Sequence, residues 1–155
     1  MKTILKNLVK RAIDSFNQND LYLIEHNACE RCICARLGYH LQAAVKRSRY
    51  YKDYVVDVEY NIGMDGNPYD RKRIHGHLTY VDIIVHKRGY DEIVGFDNLI
   101  AIEMKKDGMD FEEDKRRLEY LTSDKSGFGY KAGFALKVNF VNNCLEIESE
   151  YYYHS

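Results

Sequence analysis

The chain has 155 residues, 45% hydrophobic and 30% charged, with a single proline; this suits one globular domain over residues 1–155 and excludes a disordered or low-complexity chain. Its 23 basic and 24 acidic residues leave a net charge of −1, which argues against the strong positive excess of a tight non-specific DNA binder. No apolar run approaches the ~20 residues of a membrane helix, and the first residues lack the apolar core of a signal peptide, so no membrane partner and a cytoplasmic setting with free thiols are expected.

In chain order, Leu5, Leu8, Val9, Ile13 and Phe16 recur at three- and four-residue spacing and predict a first helix. The polar run Asn17–Asp20 breaks it. A second helix is expected over Leu21–Val45, interrupted near Gly38, with Leu21, Ile24, Ala28, Cys32, Ala35 and Leu37 on its apolar side. From Tyr54 to Ile62 the period changes to two and β-branched and aromatic residues dominate, which predicts a strand. Gly63–Gly76 reads as a polar loop, Leu78–Lys87 as a strand, Arg88–Asn98 as a turn region and Leu99–Lys105 as a third strand. Phe111–Leu121 is amphipathic and helical, and Tyr130–Phe140 and Leu145–Tyr152 close the chain as two strands joined by a tight turn at Asn142 and Asn143. Three hairpin-like strands, a crossover helix and two further strands imply an α/β fold of the α+β kind, a mixed sheet with helices packed on it.

Two of these strands carry ionisable groups inside apolar runs. In Val81–His86 the two-residue period puts Asp82, Ile84 and His86 on one face and Val81, Ile83 and Val85 on the other. In Leu99–Lys105 it puts Ala101, Glu103 and Lys105 opposite Ile100, Ile102 and Met104. A lone charge there is costly to bury, and two adjacent carboxylates repel until one takes a proton. A hard divalent cation relieves both problems, because Mg2+ is held by one or two carboxylates plus waters and substrate phosphates. Asp82 and Glu103 are therefore the candidate metal ligands. Lys105, on the face of Glu103, is placed to orient a water or offset charge developing in a transition state. The competing explanation is an exposed strand face with cross-strand pairing to Lys105.

An acid on one strand followed by acid-x-Lys on the next resembles the PD-(D/E)XK nuclease superfamily. Asp82 stands 21 residues before Glu103, and Val81 replaces the proline that usually precedes the first acid. Further segments are similar to short bacterial members: Glu30-Arg31 with Arg36-Leu37, the strand Val56–Asn61, Asp82–Gly89, the helix positions Asp114, Leu118 and Leu121, and Tyr130–Gly133. The resemblance covers about Glu30 to Phe140. It implies a restriction-endonuclease-like core, Glu30 as a further active-site acid donated by a helix, and metal-dependent hydrolysis of nucleic acid, DNA above all, with Mg2+ as cofactor and Mn2+ as substitute. The alternative it leaves open is a catalytically inactive module of the same fold that binds nucleic acid or a protein partner.

Other groups have plainer explanations beside functional ones. Glu59 shares a strand face with Asp57 and reads more readily as solvated than as a metal ligand. Arg71, Arg73 and Lys106 are candidate phosphate contacts, whereas Asp114–Arg117 reads as a solvated helix face. Cys29, Cys32 and Cys34 have the look of a metal motif, but their helical setting favours packed thiols. His86 is expected to pack or hydrogen-bond beside Asp82. The 14 tyrosines fit a sheet and its interfaces, and Tyr151–Tyr153 suggests a surface for a second copy or a partner protein.

Overall fold

A computed structural model describes residues 1–61, 71–74, 76–89 and 97–153, with His77 described by its backbone only. In chain order the elements are α1 (Lys2–Asn19), α2 (Leu21–Glu25), α3 (Glu30–Lys46), β1 (Val55–Tyr60), β2 (Arg73–Ile74), β3 (His77–Leu78), β4 (Val81–His86), β5 (Asn98–Lys106), α4 (Glu112–Leu121), a 3-10 turn (Asp124–Ser126), β6 (Ala132–Asn139) and β7 (Cys144–Tyr152). The main sheet has five strands in the order β1-β4-β5-β6-β7; β5 and β6 are parallel and every other neighbouring pair is antiparallel. The fold is therefore α+β with a mixed sheet, and α4 is the crossover that the parallel β5–β6 pair requires.

The spacing that predicts the first helix delivers it: Leu5, Leu8, Val9, Ala12, Ile13 and Phe16 are its buried face. α1 packs on α3 and reaches β7, where the Asn17 side chain brackets Leu145 by donating to its carbonyl (3.0 Å) and accepting from its N–H (2.9 Å). The second expected helix breaks at a different place. α2 ends at His26, Asn27 takes φ +51°, a left-handed conformation that asparagine tolerates, and α3 starts after Cys29. Gly38 lies inside α3 without interrupting it. Its missing side chain lets the helix settle onto β1, since a Cβ there would stand 3.0 Å from the Val58 Cγ2. The break also changes the helix's phase: Ile33, Leu37, Leu41 and Ala44 are buried, while Cys32 and Ala35 are exposed.

α1 and α3 cover one face of the sheet over Ile83, Val85, Ile100, Ile102, Met104, Phe134 and Leu136. α4 covers the other, over Ala101, Ala135, Ile84 and Tyr130. Gly133 permits that contact, for a Cβ would meet the Leu118 and Thr122 side chains at 3.3 Å. β5, covered on both sides, is buried from Asn98 through Met104.

The β2–β3 hairpin replaces part of the loop expected over Gly63–Gly76, and Leu78 belongs to it rather than to β4. Positions 63–70 and 75 of that loop, position 62 at the end of the first expected strand, and most of the turn region expected over Arg88–Asn98, positions 90–96, lie outside the described residues. The turn at Asn142 and Asn143 is present, with Asn143 at φ +45° and the Asn139 Oδ1 accepting from the N–H groups of Val141 and Asn142.

Candidate active site

Two irregularities in the sheet make the site. β4 stays registered with β1 through Val81, but its last registered pair with β5 is Ile83 with Ile102. The strands part there, and the Asp82 carboxylate takes up the Met104 N–H at 2.8 Å in place of a backbone acceptor. Opposite, Glu59 adopts φ +53°, a strained conformation for a side-chain-bearing residue that costs about 1–2 kcal/mol. Across this kink Val81 and Tyr60 turn to the α4 side, whereas Ile83 and Val58 face α3. Val81 thus departs from the face expected for it beside Ile83 and Val85.

At the parting of β4 and β5 the Asp82 carboxyl neighbours that of Glu103, close enough for each to act on the other's charge. Glu103 is only 1% exposed. Burial, then the neighbouring Asp82 carboxylate, push its pKa well above the usual range, against the pull of Arg117. Burial also raises Asp82, with Glu30 and Asp114 adding repulsion. Burial and mutual repulsion thus both favour the protonated form of this acid pair.

Cationic groups close around these acids. Arg117 from α4 donates to the Glu103 Oε1 at 3.0 Å and lies 3.2 Å from the Asp114 Oδ1. The Lys105 Nζ stands 3.3 Å from the Asp114 Oδ2. Burial opposes the Lys105 charge, but Asp114 and Glu30 prevail and raise its pKa, so the ammonium persists. Asp114 and Arg117 are therefore not a solvated helix face. Asp114 falls on the same helical stripe as Phe111, Leu118 and Leu121, all buried. That spacing is the signal that marks them, and reading charge before periodicity hides it.

Glu30, at the start of α3, accepts from the Lys106 N–H at 3.1 Å and lines a cleft of about 380 Å³ with Asp82, Glu59, Arg31, Cys29 and Cys34. Glu59 pairs with Arg31 at the rim. The fold thus gathers Glu30, Asp82, Glu103 and Lys105. It directs Lys106 elsewhere: its ammonium donates to the Asn27 Oδ1 at 2.7 Å, between α2 and α3. Arg71 and Arg73 are exposed, and Arg73 donates to the Gly76 carbonyl within its own hairpin. Lys72 between them is buried, donating to the Tyr130 hydroxyl at 2.7 Å among the rings of Tyr60, Phe128 and Tyr130. His86 hydrogen-bonds Asp57, which also binds Arg88, so neither Asp57 nor His86 joins the acid pair. Of the thiols expected to pack, Cys34 does, its Sγ 3.7 Å from the Met104 Sδ, but Cys29 and Cys32 are exposed because the helix starts only after Cys29.

Among the described residues, no group of three or more His, Cys, Asp or Glu side chains is arranged to hold a metal ion. The donor set nonetheless fits a hard cation of modest demands. Mg2+ requires one or two protein carboxylates, and Asp82 and Glu103 present two neighbouring ones whose pKa values are both raised by burial and by nearby negative charge. Neither a family model, nor a curated protein, nor a solved structure matches this chain.

Proposed function

We propose that this chain is a metal-dependent phosphodiesterase that cuts a nucleic-acid backbone, DNA above all, with Asp82 and Glu103 as the metal ligands. The observation that carries the reading is the closeness of the half-buried Asp82 and the buried Glu103 carboxyls where β4 and β5 part, with the Lys105 ammonium on the same side as Glu103. The ordered resemblance to PD-(D/E)XK nucleases supports it, as does a mixed sheet with β5 at its centre.

In this reading Asp82 and Glu103 would hold a divalent cation through their carboxylates, Glu103 in its deprotonated form. A bound Mg2+ would supply Lewis acidity toward the phosphodiester and lower the pKa of a water. The chain's own groups do the rest. Glu30 and Asp82 shape the negative wall of the cleft, Lys105 steadies negative charge on the phosphate oxygens, and Arg117 keeps Glu103 turned toward β4. Met104, Ile102 and Ile83, all fully buried, keep the neighbourhood of the pair apolar.

The test is direct. Purified protein with Mg2+ or Mn2+ converts supercoiled plasmid to nicked or linear forms; EDTA, Glu103→Gln and Lys105→Ala each prevent it. Cleavage that survives both substitutions would place the chemistry elsewhere.

A second reading, a non-catalytic nucleic-acid-binding or protein-binding module on the same fold, is favoured by one feature. Glu103 and Lys105 are already engaged, by Arg117 and Asp114. Binding of DNA with no cleavage in any divalent metal would select it.

A further inference from the structure

On the α4 side of the acid pair lies a second opening that the reaction does not require. It is a groove of about 320 Å³ between the β2–β3 hairpin and α4, lined by Ile74, Leu78, Thr79, Arg116, Arg117, Tyr120 and the acid Glu113. Arg117 belongs to both places: its guanidinium forms one wall of the groove and donates to the Glu103 carboxylate. The cleft lined by Glu30 and Asp82 opens on the α3 side. Arg117 thus connects this groove to the acid pair.

The lining of the groove is specific in kind. Leu78, on the hairpin, is 48% exposed, and Tyr80, beyond the hairpin and outside the groove's lining, is 50% exposed. Tyr120 contributes a half-buried ring from α4. Arg116 is exposed and forms no ion pair with another described residue, whereas Arg117 is engaged by Glu103, Asp114 and Glu113. Aromatic and apolar faces alternating with arginine are what an unpaired nucleic-acid strand requires, bases stacking on the rings and phosphates meeting the guanidinium groups. Duplex DNA keeps its bases stacked on one another and offers such a surface only its phosphates.

We infer that this groove holds an unpaired stretch of the nucleic-acid substrate, so that the preferred substrate carries a single-stranded segment next to the scissile bond. The inference rests on the nuclease reading for the position of that bond, but not for the binding itself. Tyr120 and Leu78 receive bases, Arg116 receives a phosphate, and Arg117 links the bound strand to the orientation of Glu103.

The experiment is fluorescence anisotropy in EDTA, where no cleavage occurs. It uses a labelled single-stranded oligonucleotide, the blunt duplex of the same sequence, and a duplex with a single-stranded tail. The wild-type protein binds the single strand and the tailed duplex at least tenfold more tightly than the blunt duplex. Arg116→Glu, at an exposed position, removes most of that preference, and Tyr120→Ala weakens single-strand binding about fivefold or more. Leu78→Ala gives a smaller loss in the same direction, and melting temperatures report that the variants fold.

Blunt duplex bound as tightly as single strand overturns the inference, as does an unchanged preference in Arg116→Glu. Preference for an acidic peptide over any oligonucleotide also overturns it. Cleavage in Mg2+ with no role for the groove leaves the nuclease reading standing alone. A groove-dependent single-strand preference without cleavage in Mg2+ or Mn2+ leaves this inference standing and removes the other.

Discussion

Replacing Arg117 with methionine exposes the electrostatic tension at the acid pair. The guanidinium is the one cation bound directly to Glu103 among the described residues, and it also pairs with Asp114. Its removal leaves Asp82, Glu103 and Asp114 facing one another with only Lys105 close by. Breaking a buried ion pair from one side costs about 3–5 kcal/mol. Arg117 keeps 23% of its side-chain surface in water, so the lower end applies, about 3 kcal/mol. For 155 residues, at about 2–4 °C per kcal/mol, this is a drop in Tm of roughly 6–12 °C at pH 8 in EDTA.

The sign with pH follows from the raised carboxyls. A folded-state pKa above the unfolded value contributes stability that is complete below the unfolded pKa and is lost as pH rises through the folded one. Between pH 8 and pH 5 the acids of the variant take up protons, and its deficit shrinks. Mg2+ stabilises a protein that binds it by about 2.7 kcal/mol at a hundredfold excess over its dissociation constant, so it narrows the deficit to the extent that the variant, lacking the competing guanidinium, binds it more tightly than the wild type. Circular-dichroism melts of both proteins, at two pH values with and without Mg2+, read all of this. A deficit under 1 °C at pH 8, or one indifferent to both pH and Mg2+, would refute the account of a repulsive pair held by Arg117.

Three further outcomes are expected. Lys105→Ala reduces plasmid cleavage about 10²–10³-fold in single-turnover assays while leaving the Tm within a few degrees, since the residue stabilises developing charge more than it packs. Gly38→Ala destabilises by about 1–3 kcal/mol in urea titration because its Cβ meets Val58, and Val58→Ala in the same chain recovers much of the loss. Burial holds the Lys72 amine down at about 8, so folding discourages its charge; that penalty is full below the folded pKa and vanishes as pH rises toward the unfolded value. Lys72→Met therefore raises stability at pH 7, by up to about 3 kcal/mol, and the gain narrows between pH 8 and 10, as thermal melts across that range will register.

What could be read from the sequence follows what local patterning controls. The α1 stripe and the alternation in β4 and β5 are set by neighbours two to four residues away, so these elements and the common strand face of Glu103 and Lys105 were legible, whereas the pairing of Lys105 with Asp114 of α4 was not. The phase of α3 was not, because it depends on Asn27 turning left-handed after α2. Small residues such as Cys32 and Ala35 reveal little about which side is buried. Arg117 and Asp114 were obscured by the charge of the run they sit in, although Phe111, Leu118 and Leu121 mark their side of the helix as the buried one. Lys72 could not be told from Arg71 and Arg73 by its neighbours. Its burial comes from Phe128 and Tyr130, more than fifty residues away. The kink at Glu59 that separates Val81 from Ile83 likewise has no local signature.

The central claim is that a divalent cation sits between Asp82 and Glu103, and anomalous diffraction from a crystal grown with Mn2+ tests it most directly. The account requires a peak within coordination distance of both carboxylates, lost in Glu103→Gln. A map with no peak there, or with Mn2+ bound only at unrelated surface acids, would contradict it.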